Sequence, residues 1–136
     1  IDCIGPHNRL KPIVSALTGA GIRVSMFIEP DRKQIDAARV LGAPVVELHA
    51  GAYANASSAA REKLLAKIRH AAEFGAELGL EIHAGHGLTY ENVIPVAAIP
   101  QIRELNIGHF LIGEAIFTGL SESIRKMRAL MDEARA

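Results

Sequence analysis

The 136 residues carry 15 Lys plus Arg against 15 Asp plus Glu, with 49% hydrophobic and 22% charged side chains, the balance of a globular domain able to bury a sizeable core. The even charge leaves no basic excess for nucleic acid or an anionic membrane, the absence of Trp argues against a base-stacking platform, and no apolar run approaches the roughly 20 residues of a membrane span. The one cysteine, Cys3, has no internal partner and no activating neighbours, so a reduced, inert thiol and a cytoplasmic location are expected. The opening Ile1-Asp2-Cys3-Ile4-Gly5 lacks a signal-peptide pattern and reads as a sequence entered partway through a domain.

Helices and short β-rich runs alternate along the chain. Asn8 to Ala20 reads as a helix with Leu10, Ile13, Val14 and Leu17 on one face, stopped by Gly21. Ile22 to Glu29 reads as a strand closed by Pro30. Asp31 and Gln34 then form a capping-box pair for a helix carrying Ile35, Ala38 and Leu41 and ended by Gly42. Val45 to His49 is the second strand, and Gly51 to Ser58 a loop. A long helix follows, with Leu64, Leu65, Ile68, Ala72 and Leu78 inward and Gly79 at its end. Leu80 to Ala84 is the third strand. A helix from about Thr89 to Ala98 is expected to bend at Pro95, which lacks an amide donor. Glu104 to Ile107 is the fourth strand. A short helical turn near Gly113 to Thr118 and a final helix from Ser121, with Ile124, Met127, Leu130 and Met131, complete the pattern. Strands joined by helices imply parallel pairing with right-handed crossovers.

Side-chain parity separates two α/β architectures. Val24, Met26, Ile28, Val46, Leu48, Ile82, Ala84, Leu105 and Ile107 fall on one parity, whereas Ser25, Phe27, Glu29, Val45, Glu47, His49, Glu81, His83, Asn106 and Gly108 fall on the other. Successive strand residues face opposite sides, so one face is apolar and the other repeatedly polar. A sheet covered by helices on both faces wants both parities apolar. A barrel wall needs only one apolar face, and its other face lines an interior where polar groups meet ligand. The pattern therefore favours a barrel, with the edge of an open sheet as the alternative.

In such folds ligands bind beyond the carboxyl ends of the strands. Those ends read Glu29-Pro30-Asp31, Glu47-Leu48-His49-Ala50-Gly51, His83-Ala84-Gly85-His86-Gly87 and Asn106-Ile107-Gly108-His109, and they hold four of the six histidines. Glycines there let backbone amides approach an anion, and a short helix after the last strand offers its N-terminus to phosphate. The competing reading is that the glycines only make tight turns. His86, flanked by glycines, is expected to be exposed and suited to proton transfer near neutrality. Glu47 and His49 share the interior face, as an acid-base pair or as a structural hydrogen-bonded one. A metal site on His49, His83 and His86 is the weaker alternative, because no fixed helical spacing joins them.

Val24 to Asp31, Gly42 to His49, Ala84 to Tyr90 and Glu104 to His109, with Ala97-Ala98-Ile99-Pro100 and Phe117-Thr118-Gly119-Leu120, resemble the pyridoxine 5'-phosphate synthase family over essentially the whole chain. The resemblance implies a (β/α)8 TIM barrel, with residues 1–136 as the C-terminal portion of that single domain and the four strands as its last four. It implies a transferase of vitamin B6 biosynthesis that condenses 1-deoxy-D-xylulose 5-phosphate with 3-amino-2-oxopropyl phosphate to pyridoxine 5'-phosphate, phosphate and water. No metal or organic cofactor is implied, and the family forms homo-oligomers. By resemblance His86 is the proton donor, Glu47 stabilises the transition state, and Gly87, Gly108 and His109 hold the aminoketone phosphate. Ala50, His83 and Glu114 depart from the family's usual Thr, Asn and Arg. The resemblance also implies that further catalytic groups lie on strands outside this sequence, so the 136 residues alone are expected to be inactive. The alternatives are a non-catalytic half-barrel that binds phosphorylated metabolites and another phosphate-handling barrel enzyme. A Schiff-base aldolase would want a strand lysine, which these four strands lack.

Overall fold

A computed structural model describes all residues 1–136. The chain is α/β: α1 His7–Gly19, β1 Ser25–Ile28, α2 Arg32–Leu41, β2 Val45–His49, α3 Gly51–Ala54, α4 Ser58–Glu77, β3 Glu81–Gly85, α5 Val93–Ala97, β4 Ile102–Asn106, α6 His109–Thr118 and α7 Leu120–Glu133. The four strands form one parallel sheet in chain order, β1-β2-β3-β4, so β1 and β4 are its edges. No helix is long and apolar enough to cross a membrane.

One face of the sheet carries the helices and the core. Met26, Ile28, Val46, Leu48, Ile82 and Ala84 are buried there, and Ile35, Leu41 and Ile68 from α2 and α4 pack onto them. Each fully buried aliphatic side chain of this kind contributes about 1.5–3 kcal/mol relative to exposure. On the other face the register aligns Phe27, Glu47, His83 and Glu104 in one row and His49, Gly85 and Asn106 in the next. The polar parity thus lies opposite the helix layer, as the sequence pattern requires.

Several local expectations are revised. The first strand is limited to Ser25–Ile28, because only these residues meet a partner strand. The expected loop after β2 contains the short helix α3 before Ser57 leads into α4. Around Pro95 only Val93–Ala97 is helical, since residues 89–92 form a turn. The fourth strand starts at Ile102, with a register shift that leaves Arg103 without a partner and puts Glu104 opposite His83. The turn expected at Gly113 is the latter half of a ten-residue helix that starts at His109.

Only half of the capping box forms. Asp31 accepts from the amides of Lys33 and Gln34 at 2.9 and 3.2 Å. The Gln34 side chain turns away, accepting from the Cys3 amide at 2.7 Å and donating to Asp2 at 2.9 Å. Those bonds tie the N-terminal segment to α2 and leave Cys3 buried, with desolvation pushing its thiol pKa up. Amphipathic patterning also overstated burial at both ends of the chain. In α1 only Val14 is buried, while Ile13 and Leu17 face outward. In α7 Met127 is buried as expected, but Ile124 is 49% exposed; in α6 before it no residue is buried, and Ile116 and Phe117 are 79% and 86% exposed.

Candidate active site

The carboxyl ends of the strands surround a cavity of about 640 Å3 on the face opposite the helices, within the usual size range of small-ligand sites. Its wall includes Phe27, Glu47, His86, Gly87, Asn106 and His109. Four of the five residues singled out by sequence therefore line one space. The fifth, Gly108, lies between Ile107 and His109, which both line it, and caps α6 without a side-chain hydrogen bond.

Glu47 projects from the middle of β2 because residues 46 and 48 are claimed by the core. Its carboxylate lies against Gly85 on the neighbouring strand, where a Cβ would collide with Oε1. Desolvation in this half-buried position raises the Glu47 pKa; nearby His83 and the Asn106 side chain oppose that shift. A carboxyl group raised in this way can hold a proton closer to neutrality than an exposed one.

His86 leaves β3 in the left-handed region at φ 72°, the one non-glycine residue with positive φ. Its ring is exposed, in agreement with the sequence reading. Two residues that the sequence analysis did not single out brace the loop behind it. Asn92 donates from Nδ2 to the Gly87 carbonyl at 3.2 Å and accepts from the Thr89 amide at 2.8 Å. Buried Tyr53 then donates to the Asn92 carbonyl at 2.8 Å. The Thr89-x-x-Asn92 spacing is a turn signal that could have identified the first brace. Tyr53, from α3, had none.

His109 opens α6, whose first-turn amides have no partners within the helix, and the first two residues of that turn, His109 and Phe110, line the cavity. Tyr90 ties this helix to the β3 loop. Its ring meets Phe110 edge to face at 4.7 Å, and its hydroxyl donates to the Ser123 carbonyl at 3.0 Å. Ser123 in turn donates to the Leu111 carbonyl at 2.9 Å.

The remaining histidines divide. His49 Nδ1 is 2.6 Å from Glu29 Oε1, beside the cavity rather than in its wall. The expected Glu47–His49 partnership is thus replaced by a Glu29–His49 pair, because Glu29 directly follows the Ile28–Leu48 pairing and so meets His49 across the strands. His83 is 6% exposed, its Nε2 2.8 Å from Glu81 Oε1 and its Nδ1 3.4 Å from Glu104 Oε1. No three His, Cys, Asp or Glu side chains, His49, His83 and His86 included, are grouped to hold a metal ion.

The family described as "Pyridoxal phosphate biosynthesis protein PdxJ" matches residues 1–133. The chain belongs to the PdxJ family. Similar PdxJ-family relatives include the pyridoxine 5'-phosphate synthase of Zymomonas mobilis subsp. mobilis, 60% identical over 136 residues that make up all of this chain and 53% of the relative. That of Rhodospirillum rubrum is 62% identical over 135 residues, 98% of this chain and 54% of the relative. That of Thioalkalivibrio sulfidiphilus is 54% identical over 136 residues, 99% of this chain and 55% of the relative. The chain spans about half the length of the curated relatives it matches.

Proposed function

We propose that this chain supplies the last four strands of a (β/α)8 barrel that makes pyridoxine 5'-phosphate from 1-deoxy-D-xylulose 5-phosphate and 3-amino-2-oxopropyl phosphate. The observation that carries the reading is the cavity opposite the helix layer, where Glu47, His86, Gly87 and His109 share one wall at the strands' carboxyl ends. Membership of the PdxJ family and relatives named pyridoxine 5'-phosphate synthase support it.

The reaction needs an amine to add to a ketone, water and phosphate to leave, and an enol to close the ring. Each step moves a proton near neutrality. His86, exposed at the cavity, is the donor to departing oxygen. Glu47, with its raised carboxyl pKa, stabilises the charge that develops at the ring-forming carbons. The amides of Gly87, Gly108 and His109 hold the aminoketone phosphate, aided by the positive end of α6. Both sheet edges are unpaired, and a closed barrel would pair them. A homo-oligomeric enzyme of the cytoplasm, with its remaining acid-base groups on earlier strands, is part of the same reading.

The test is to join residues 1–136 to the preceding residues of a full-length relative and measure product absorbance from the two phosphorylated substrates. The joined protein should turn over and the 136 residues alone should not. Full turnover by the 136 residues would overturn the half-barrel reading, and none from a folded joined protein would overturn the activity.

A further inference from the structure

Three rings meet where β1, β2 and β3 end. Phe27 and His49 pack edge to face with centroids 5.1 Å apart, His49 and His86 do the same at 4.8 Å, and Phe27 lies 6.2 Å from His86. Such arrangements set ring orientation as well as burying area. The middle ring is also anchored from behind. With the Glu29 carboxylate 2.6 Å away as acceptor, His49 Nδ1 is the donor, which fixes the ring plane. The opposite side of the ring is pressed against α3, where a Cβ at Gly51 would stand 2.6 Å from His49 Nε2 and 3.0 Å from His86 Cδ2. Glycine is thus the residue that admits both imidazoles. His86 itself sits at φ 72°, a strained conformation that persists where the surroundings over-determine it.

We propose that His49 is a positioning residue for His86: Glu29 fixes the His49 ring, and that ring holds the His86 imidazole over the cavity. The proposal rests on the reading of His86 as proton donor. His49 stands outside the cavity wall while His86 lies in it. The link between the two imidazoles is an edge-to-face packing contact at 63°, so the coupling acts through orientation rather than proton transfer.

Two measurements on the full-length joined protein test this. In the first, proton NMR follows the His86 ring protons in His49→Ala and Glu29→Gln. Loss of the neighbouring ring, or of its anchor, should shift those resonances, and unchanged resonances in both variants would overturn the proposal. In the second, steady-state kinetics should give a kcat loss of about tenfold for each variant, the scale seen when an orienting partner is removed, with KM for both substrates little changed. His49→Phe, which restores a ring without the Nδ1 donor, should recover part of the loss. In a His86→Ala background, His49→Ala should cost nothing more, because residues that act as a unit are non-additive. An equal His49→Ala loss in both backgrounds means a general structural role and overturns the proposal. Full turnover by His86→Ala overturns the donor reading and this proposal with it, whereas an impaired His86→Ala beside an unimpaired His49→Ala overturns this proposal alone.

Discussion

The open face of the sheet carries two histidine clusters with opposite character. Toward the carboxyl ends, His49 and His86 pack on each other beside a cavity, and one carboxylate, Glu29, serves the pair. In the row shared with Glu47, His83 is buried between Glu104 and Glu81, the latter two residues nearer the amino end, and Arg23 closes the set at 2.5 Å from Glu81. The first cluster leaves His86 free of protein hydrogen-bond partners and exposed; the second gives each nitrogen of His83 a carboxylate and hides the ring. A polar group whose partners are supplied by its own chain contributes to stability, and one left open to a cavity is available for chemistry. Similar residues on one face thus separate by satisfaction and burial rather than by type.

The largest expected effect tests the reactive half of that contrast. In the full-length joined protein, His86→Ala should lower kcat by about 10²-fold or more, the scale for loss of a general acid. Its circular dichroism and urea midpoint should stay close to the parent's. An unimpaired enzyme would remove His86 from the mechanism.

Next in size is the structural half. His83→Ala should lower unfolding free energy in urea by about 1–3 kcal/mol, the usual cost of removing a buried hydrogen-bonding group. Its loss of turnover should be smaller than that of His86→Ala. Equal stability with a His86-like loss of turnover would reverse the two roles.

A pH series then isolates the salt-bridged cluster. Arg23, followed by His83, holds the Glu81 pKa down from 4.5 to about 2. Because the folded value is depressed, this group's stabilisation is present above pH 4.5 and is lost as pH falls toward 2. The thermal midpoint should drop across that window, and Glu81→Gln should flatten the drop. An unchanged slope in Glu81→Gln would mean that the pairing contributes nothing to folding.

The smallest effect has the opposite sign. Burial raises the Glu47 pKa, so its ionisation opposes folding as pH rises from the ordinary carboxylate range through the raised value. Glu47→Gln should therefore stabilise the protein slightly at neutral pH, and the gain should vanish in acid. Lost stability at neutral pH would show that the Glu47 carboxylate is held by favourable contacts that outweigh its desolvation.

Much of the site's placement was legible in sequence because strand parity is a local geometric rule. Once Val46 and Leu48 are claimed by the core, Glu47 and His49 must face the other way. Likewise, Gly85-His86-Gly87 at the end of an apolar run predicted an exposed histidine, and His86 is one. The alternation of helices and strands likewise predicted the parallel pairing of the sheet.

Other features depended on contacts between distant residues. Parity put His83 on the open face but could not reveal that a register shift at β4 brings Glu104 to it. The Asp31–Gln34 spacing suited a capping box, yet Asp2 and Cys3 captured the Gln34 side chain from more than thirty residues away. Tyr53 reaches Asn92 across 39 positions to brace the His86 loop, and Glu29 rather than Glu47 pairs with His49. Periodicity determines which side of an element a residue occupies, because that follows from backbone geometry alone. Which partner waits there depends on how strands align and helices pack, and only the tertiary structure decided it.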